Sequence, residues 1–253
     1  MTTSYHSERK HYYFIICLLI LWIILFEFIL PPNQILPRPS ITLLSFINLF
    51  RDYQFIINIL STVSALYFSA IAAGIVIWIF RKYILTDKSI FKFLGISLGR
   101  INRLVPVILI GLFLIIWFPV SEYSKYAFMF LISFSFLFNK AAIELKKVNI
   151  ETIQSINSLG ADEIFIFEKI SWKAIEPALA ASLTELHYYL WSLLIVFEYI
   201  NGGTGLGKLL RTAIQFKDLA DLFVYGITLW ILILFGMSII NYFKNKIFFW
   251  SVN

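Results

Sequence analysis

Residues 151–177 read ETIQSINSLGADEIFIFEKISWKAIEP. This is the longest charged stretch between two hydrophobic runs. It carries Glu151, Asp162, Glu163, Glu168, Lys169, Lys173 and Glu176, with Gly160 near its middle. A polar segment between two runs of membrane-crossing length predicts a loop at one face of a membrane. Within it, 151–158 and 161–170 each read as a short helix. Gly160 lies between them, where glycine supplies the left-handed turn that ends one helix and redirects the chain. Ile164, Phe167 and Ile170 recur at three-residue spacing, with Phe165 beside them, so the second helix carries an aromatic ridge. Such a helix either lies on lipid or sits in a protein groove. Asp162, Glu163 and Glu168 oppose an anionic lipid surface, so a groove fits better.

The rest of the chain agrees with a membrane setting. Apolar residues make up 60% and charged residues only 14% of the 253, against roughly 25% charged in soluble domains. The expected fold is an all-α integral membrane protein, one domain over 1–253, with about six spans at 12–30, 56–80, 104–120, 126–145, 178–200 and 222–242. The coupling loop is 146–177. Between spans 1 and 2, three prolines (Pro31, Pro32, Pro37) force an extended exit, and the moderately apolar run after them predicts an interfacial helix. Span 2 is rich in small residues, among them Ser61, Ser64, Ser69, Ala73 and Gly74, which let helices approach closely. Span 3 is short and is interrupted by Pro106 and Gly111, as spans that line a path often are.

Six spans place both termini on one side. That side, with the 81–103 and 146–177 loops, carries fourteen Lys and Arg against six on the other, which predicts cytoplasmic termini and a cytoplasmic 151–177. The formal charge of +6 therefore reflects orientation, and the absence of a basic, aromatic-interleaved element argues against nucleic acid.

Candidate chemistry is sparse. Residues 202–209, GGTGLGKL, approach the phosphate-binding pattern, but Leu209 has no hydroxyl for magnesium and no strand precedes it. A glycine-rich turn is the expected reading, and ATP and Mg are expected on a partner, with no cofactor in this chain. Cys17 is the one cysteine, and His6, His11 and His187 are scattered, so neither a disulfide nor a metal site is expected. Glu185, mid-span 5, points about 200° around the helix from His187, so the two do not form a relay. An ionisable group at that depth needs a water-filled path or a partner helix. No nucleophile–base grouping predicts catalysis by the chain itself.

Several motifs in fixed order resemble the transmembrane permease subunits of binding-protein-dependent ABC importers of the nitrate/taurine/sulfonate type. LPRPS (36–40) resembles the family's L-P-x-P-S after span 1. WFPVSEYSK (117–125) resembles its W-F-G-I-G-E-x-S-K, with Pro119 in place of a glycine. Arg103 and Pro106 fall on its R-P-I-P-P stretch, and Asn139 precedes the loop as the family's asparagine does. Trp191, Glu198 and Gly205-Leu206-Gly207 recur at its spacing, and Trp250 resembles its closing tryptophan. In the loop, Gly160-Ala161, Phe167, Ile170 and Pro177 match, while Gln154, Ser155 and Ile156 stand at the E-A-A positions and Trp172-Lys173 at Leu-Pro. Thr184 stands where an arginine is usual.

The resemblance implies a permease in the bacterial inner membrane, acting as a homodimer with two cytoplasmic ATPase subunits and an extracytoplasmic solute-binding protein. It implies ATPase coupling through Gln154, Gly160, Ala161, Ile164, Phe165, Phe167 and Ile170. Together with the span chemistry it points to a translocation path near Pro106, Glu185, Trp191 and Glu198. Substrates of this type are small anions or small organic solutes. The rival expectation is an ion- or proton-coupled secondary transporter, which needs a set of buried carboxylates.

Overall fold

Runs of branched and aromatic side chains, interrupted by proline, glycine and short polar clusters, fold the chain into helices. The structure, a computed structural model, describes residues 13, 16–30, 36–85, 93, 97 and 106–248, with the side chains of 83–85, 150–152 and 157 outside the description. Arg9, Lys10, Lys88, Lys92, Arg100, Arg103 and Trp250 lie outside the described residues.

Nine helices follow among the described residues. They are α1 (Ile16–Ile29), α2 (Pro39–Arg51), α3 (Tyr53–Leu85), α4 (Val107–Trp117), α5 (Glu122–Leu145), α6 (Ile150–Ser158), α7 (Glu163–Asn201), α8 (Leu206–Phe216) and α9 (Leu219–Ile247). Helices α3, α5, α7 and α9 are each long and apolar enough to cross a membrane, whereas α1 and α4 are shorter apolar helices.

Local chemistry sets the boundaries. Pro39 opens α2, where its missing N–H costs nothing and its fixed φ suits a first turn. The Glu27 carboxylate of α1 accepts from the Ser40 hydroxyl at 2.9 Å and the Ser40 N–H at 3.2 Å, fastening the two helices together. Asp52 ends α2 in an extended conformation and accepts from the Gln54 N–H at 2.9 Å, capping α3.

The core lies where α3, α5 and α7 meet. Ala65, Ser69 and Ala73 of α3 are buried toward α5, which answers with Phe128, Met129, Ile132 and Ser133. Ser64 shares a hydrogen bond with the Tyr126 hydroxyl at 2.7 Å, and the Ser69 hydroxyl donates to the Tyr126 carbonyl at 3.0 Å. Small residues thus bring the two helices close enough for polar contacts as well as van der Waals packing. Trp191, Leu190, Leu194 and Phe197 of α7 complete the core.

Two boundaries differ from the sequence expectation. The expected boundary between the loop ending at 177 and the span starting at 178 is absent: span 5 and the second loop helix are one 39-residue helix, α7, with Pro177 inside it. A widened turn at Ile166–Ser171 precedes the proline, and buried Ile166, Trp172, Ile175 and Ala180 hold this part of the helix against its neighbours. Packing therefore outweighs the one hydrogen bond that Pro177 removes. The other difference lies at 201–221, expected as a loop. It contains α8, whose apolar face buries Leu206 and Ala213.

Candidate functional site: the two ends of helix α7

Helix α7 joins two polar regions at opposite ends. At the first, α6 stops at Ser158 and Gly160 turns the chain at φ +84°. The expected ridge divides here. Ile164 and Phe165 are exposed, as is Leu159 at 86%, while Ile166 is buried and Phe167 packs against Trp172 with ring centroids 6.4 Å apart. Gln154 is exposed, and Ala161 and Ile170 are half-buried. An apolar corner of Leu159, Ile164 and Phe165 therefore stands free on the surface of the single chain. Arg81, near the end of α3, holds the neighbouring stretch of α7 to α3. Its guanidinium lies 3.7 Å from Glu168 and over the rings of Trp78 and Trp172 at 5.0 and 5.7 Å.

At the other end Gly202, at φ +68°, stops α7, and its N–H bonds the Glu198 carbonyl at 3.0 Å. The turn then enters α8, whose first backbone N–H groups have no partners within the helix. Side chains of three other helices take four consecutive donors. The Thr204 N–H reaches Glu122 of α5 at 3.0 Å, and the Gly205 N–H reaches the Asn58 amide oxygen of α3 at 2.6 Å. The Leu206 N–H reaches the Thr62 hydroxyl of α3 at 2.8 Å, and the Gly207 N–H reaches the Glu198 carboxylate of α7 at 3.0 Å. Thr62 also donates to Glu198 at 2.9 Å.

Lys125 lies at the centre of this clamp. It is 1% exposed, as is Glu198. Its ammonium is 2.8 Å from Glu122 and 3.6 Å from Glu198, and it donates to the Ser61 hydroxyl at 2.5 Å and the Thr204 carbonyl at 3.1 Å. Two carboxylates face one ammonium, and the helix N-terminus supplies the further positive potential that makes the balance tolerable. Glycine is required at two positions. Gly205 has φ +129°, and a Cβ there would lie 2.1 Å from the Glu198 carboxyl carbon. A Cβ at Gly207 would lie 2.4 Å from the Ile195 carbonyl oxygen.

This arrangement is densely hydrogen-bonded around the buried Lys125 and Glu198, so its role is mechanical: it ties α3, α5, α7 and α8 together at one level. Lys125→Met strands Glu198 without its cation. The expected cost is about 3–5 kcal/mol, read as a lower melting temperature in detergent. Lys125→Arg, which keeps the charge, should recover part of the loss. A Lys125→Met protein as stable as wild type contradicts the clamp.

The sequence alone leaves Lys125 between the expected spans 104–120 and 126–145 and gives no role to Asn58 and Thr62. The signal it does hold is their i,i+4 spacing in an otherwise apolar helix, which puts two polar groups on one face. The expected path residues have separate environments. Trp191 and Glu198 are buried in the core and the clamp. Pro106 is exposed just before α4. The Glu185 side chain is 67% exposed and lies 3.8 Å from Lys140 of α5. His187 points the other way, buried, with its Nε2 3.0 Å from the Ile233 carbonyl.

WFPVSEYSK and Gly205-Leu206-Gly207, two separate resemblances in sequence, are thus one contact in space through Glu122, Lys125 and Glu198. No family model matches the chain, and no solved structure matches it. Among curated proteins it is 27% identical over 219 residues to the taurine transport system permease protein TauC of Escherichia coli (strain K12), which covers 84% of this chain and 76% of that protein. With its membrane-length helices, this relationship supports a multi-pass membrane protein similar to the permease subunits of taurine/sulfonate-type ABC importers.

Proposed function

We propose that two copies of this chain form the solute path of an importer in the bacterial inner membrane, driven by two ATPase subunits bound at the Gly160 end of α7. In this reading α1 and α4 also cross the bilayer, giving six spans, and both termini and the 146–177 segment are cytoplasmic. The observation that carries the proposal is the continuity of α7. An exposed apolar corner at Leu159, Ile164 and Phe165 joins directly to a helix about 58 Å long at 1.5 Å per residue, and that helix ends in the Lys125 clamp. A displacement of the corner by an ATPase is carried along α7 as a rigid element to the opposite face. Alternating access then arises from rocking of helices about the path. An extracytoplasmic solute-binding protein delivers the solute at the clamp side.

The Lys140–Glu185 pair supports a path on the α5–α7 face. Both groups lie within membrane-length helices and stay accessible in the single chain. Charged groups at such depth need water or a partner subunit rather than lipid. A cation beside an anion also suits small anionic or zwitterionic solutes, which agrees with the taurine system to which the chain is similar. The same pair is the observation that favours the second reading, an ion- or proton-coupled transporter.

Site-directed cross-linking tests the docking corner. Phe165→Cys, in a Cys17→Ser background, is expected to cross-link to the partner ATPase subunit. Tyr123→Cys, whose side chain is exposed at the opposite end, is expected to give no product. Equal labelling from both positions would remove the assigned interface.

A further inference from the structure

Away from both ends of α7, a cavity of about 630 Å³ opens between the end of α1, residues 36–41, the end of α8 and the start of α9. Its walls are largely apolar, with Phe26, Ile41, Ile214 and Leu222 among them, and it carries three charged residues, Arg38, Lys217 and Asp218.

The charges do not neutralise one another. The Asp218 carboxylate accepts from the Asp221 N–H at 3.1 Å and caps α9. Among the described residues neither Arg38 nor Lys217 has a carboxylate partner, and the Arg38 Nε is shielded from solvent without a hydrogen-bond acceptor. Arg38 itself is half-buried. A covered guanidinium N–H without an acceptor carries a desolvation cost that a bound anion removes. Lys217 is held at the cavity by the left-handed turn that closes α8, with φ +56° and the Asp218 N–H bonded to the Ala213 carbonyl at 2.9 Å.

The ligand's chemistry follows from these two features. Two cations ask for an anionic oxygen group, phosphate-like or sulfonate-like. The apolar walls ask for hydrocarbon attached to it. The cavity also lies where two apolar helices end, α1 at Ile29 and α9 at Leu219, which is the depth of lipid headgroups. We propose that it is a binding site for an acidic phospholipid, with the phosphate on Arg38 and Lys217 and an acyl chain along Phe26 and Leu222. The site is independent of ATPase coupling and needs only the membrane setting.

The test is thermal melting of the full chain in a neutral detergent, titrated with phosphatidylglycerol, phosphatidylcholine or inorganic phosphate. Phosphatidylglycerol is expected to raise the melting temperature saturably, and the other two are not. Lys217→Gln, a change at an exposed residue, is expected to weaken the phosphatidylglycerol response about fivefold. Arg38→Gln is expected to weaken it about tenfold or more. Lys208→Gln, a cation that does not line the cavity, leaves it unchanged. An equal shift from phosphatidylcholine overturns the headgroup assignment, and an equal shift from phosphate alone overturns the lipid in favour of a free-anion site. An undiminished response in Lys217→Gln and in a folded Arg38→Gln protein overturns the site itself.

Discussion

Gly160→Asp is expected to leave the permease in the membrane while sharply reducing the proposed ATP-driven uptake. The residue turns the chain at φ +84°, a conformation costing an L side chain about 1–2 kcal/mol. Space is not the obstacle, since a Cβ at Gly160 would meet nothing within 4 Å. The larger effect comes from charge. The new carboxylate stands beside Leu159, Ile164 and Phe165, the exposed apolar corner proposed to dock the ATPase. Burying an unpaired carboxylate at the centre of such an interface costs on the order of 2–4 kcal/mol, the scale of a hot-spot residue. ATPase affinity is expected to fall roughly 30-fold to 1,000-fold, with uptake falling alongside it. Gly160→Ala carries the backbone strain without the charge and should retain partial activity. Co-purification of the ATPase, measured beside uptake, separates lost docking from lost permease. Wild-type uptake in Gly160→Asp would remove the corner from the coupling scheme.

Gly207→Ala is expected to destabilise the fold by about 3 kcal/mol or more, the range of severe overpacking. Its Cβ would lie 2.4 Å from the Ile195 carbonyl oxygen and 2.7 Å from the Tyr199 nitrogen. Both are backbone atoms of α7, which cannot rotate aside as a flexible side chain would. The start of α8 must then move away from α7, carrying with it the N–H groups that Glu122, Asn58, Thr62 and Glu198 hold. Gly226→Ala is the matched control. It lies within α9, where an added Cβ would meet nothing within 4 Å, so its effect should be neutral or slightly stabilising. Thermal melting of the two variants in the same detergent decides the point. Equal melting temperatures would mean that α8 does not dock against α7 as described.

Much of this architecture is legible in sequence where one residue type dominates a long run. The expected spans at 56–80 and 126–145 correspond to α3 and α5 because hydrophobic length alone specifies a crossing helix. The small residues of α3 are legible as a close-packing face, and Ser69 does bond to Tyr126 of α5. Gly160 is legible as a turn because only one backbone conformation explains it economically.

The clamp is not legible, for a physical reason. Lys125 is near the edge of an apolar run, where a lysine ordinarily snorkels to water. What holds it inside is the coincidence of Ser61, Thr204 and Glu198 from three other segments with Glu122 of its own helix. Such long-range pairing leaves no local pattern. The boundary at 177/178 misleads for the opposite reason: a polar loop ends there in sequence, yet packing of Trp172, Ile175 and Ala180 carries one helix through it. Helix α8 is hidden because its glycine-rich entry reads as a turn, which it also is.

The central claim is that movement of α7, driven from its Gly160 end, opens a path for solute. Uptake by proteoliposomes holding this permease with its ATPase, in the presence of the solute-binding protein, tests it most directly. Uptake should require ATP on the side bearing the ATPase and persist when proton and sodium gradients are collapsed. Uptake that proceeds without the ATPase and follows an imposed ion gradient would contradict the account.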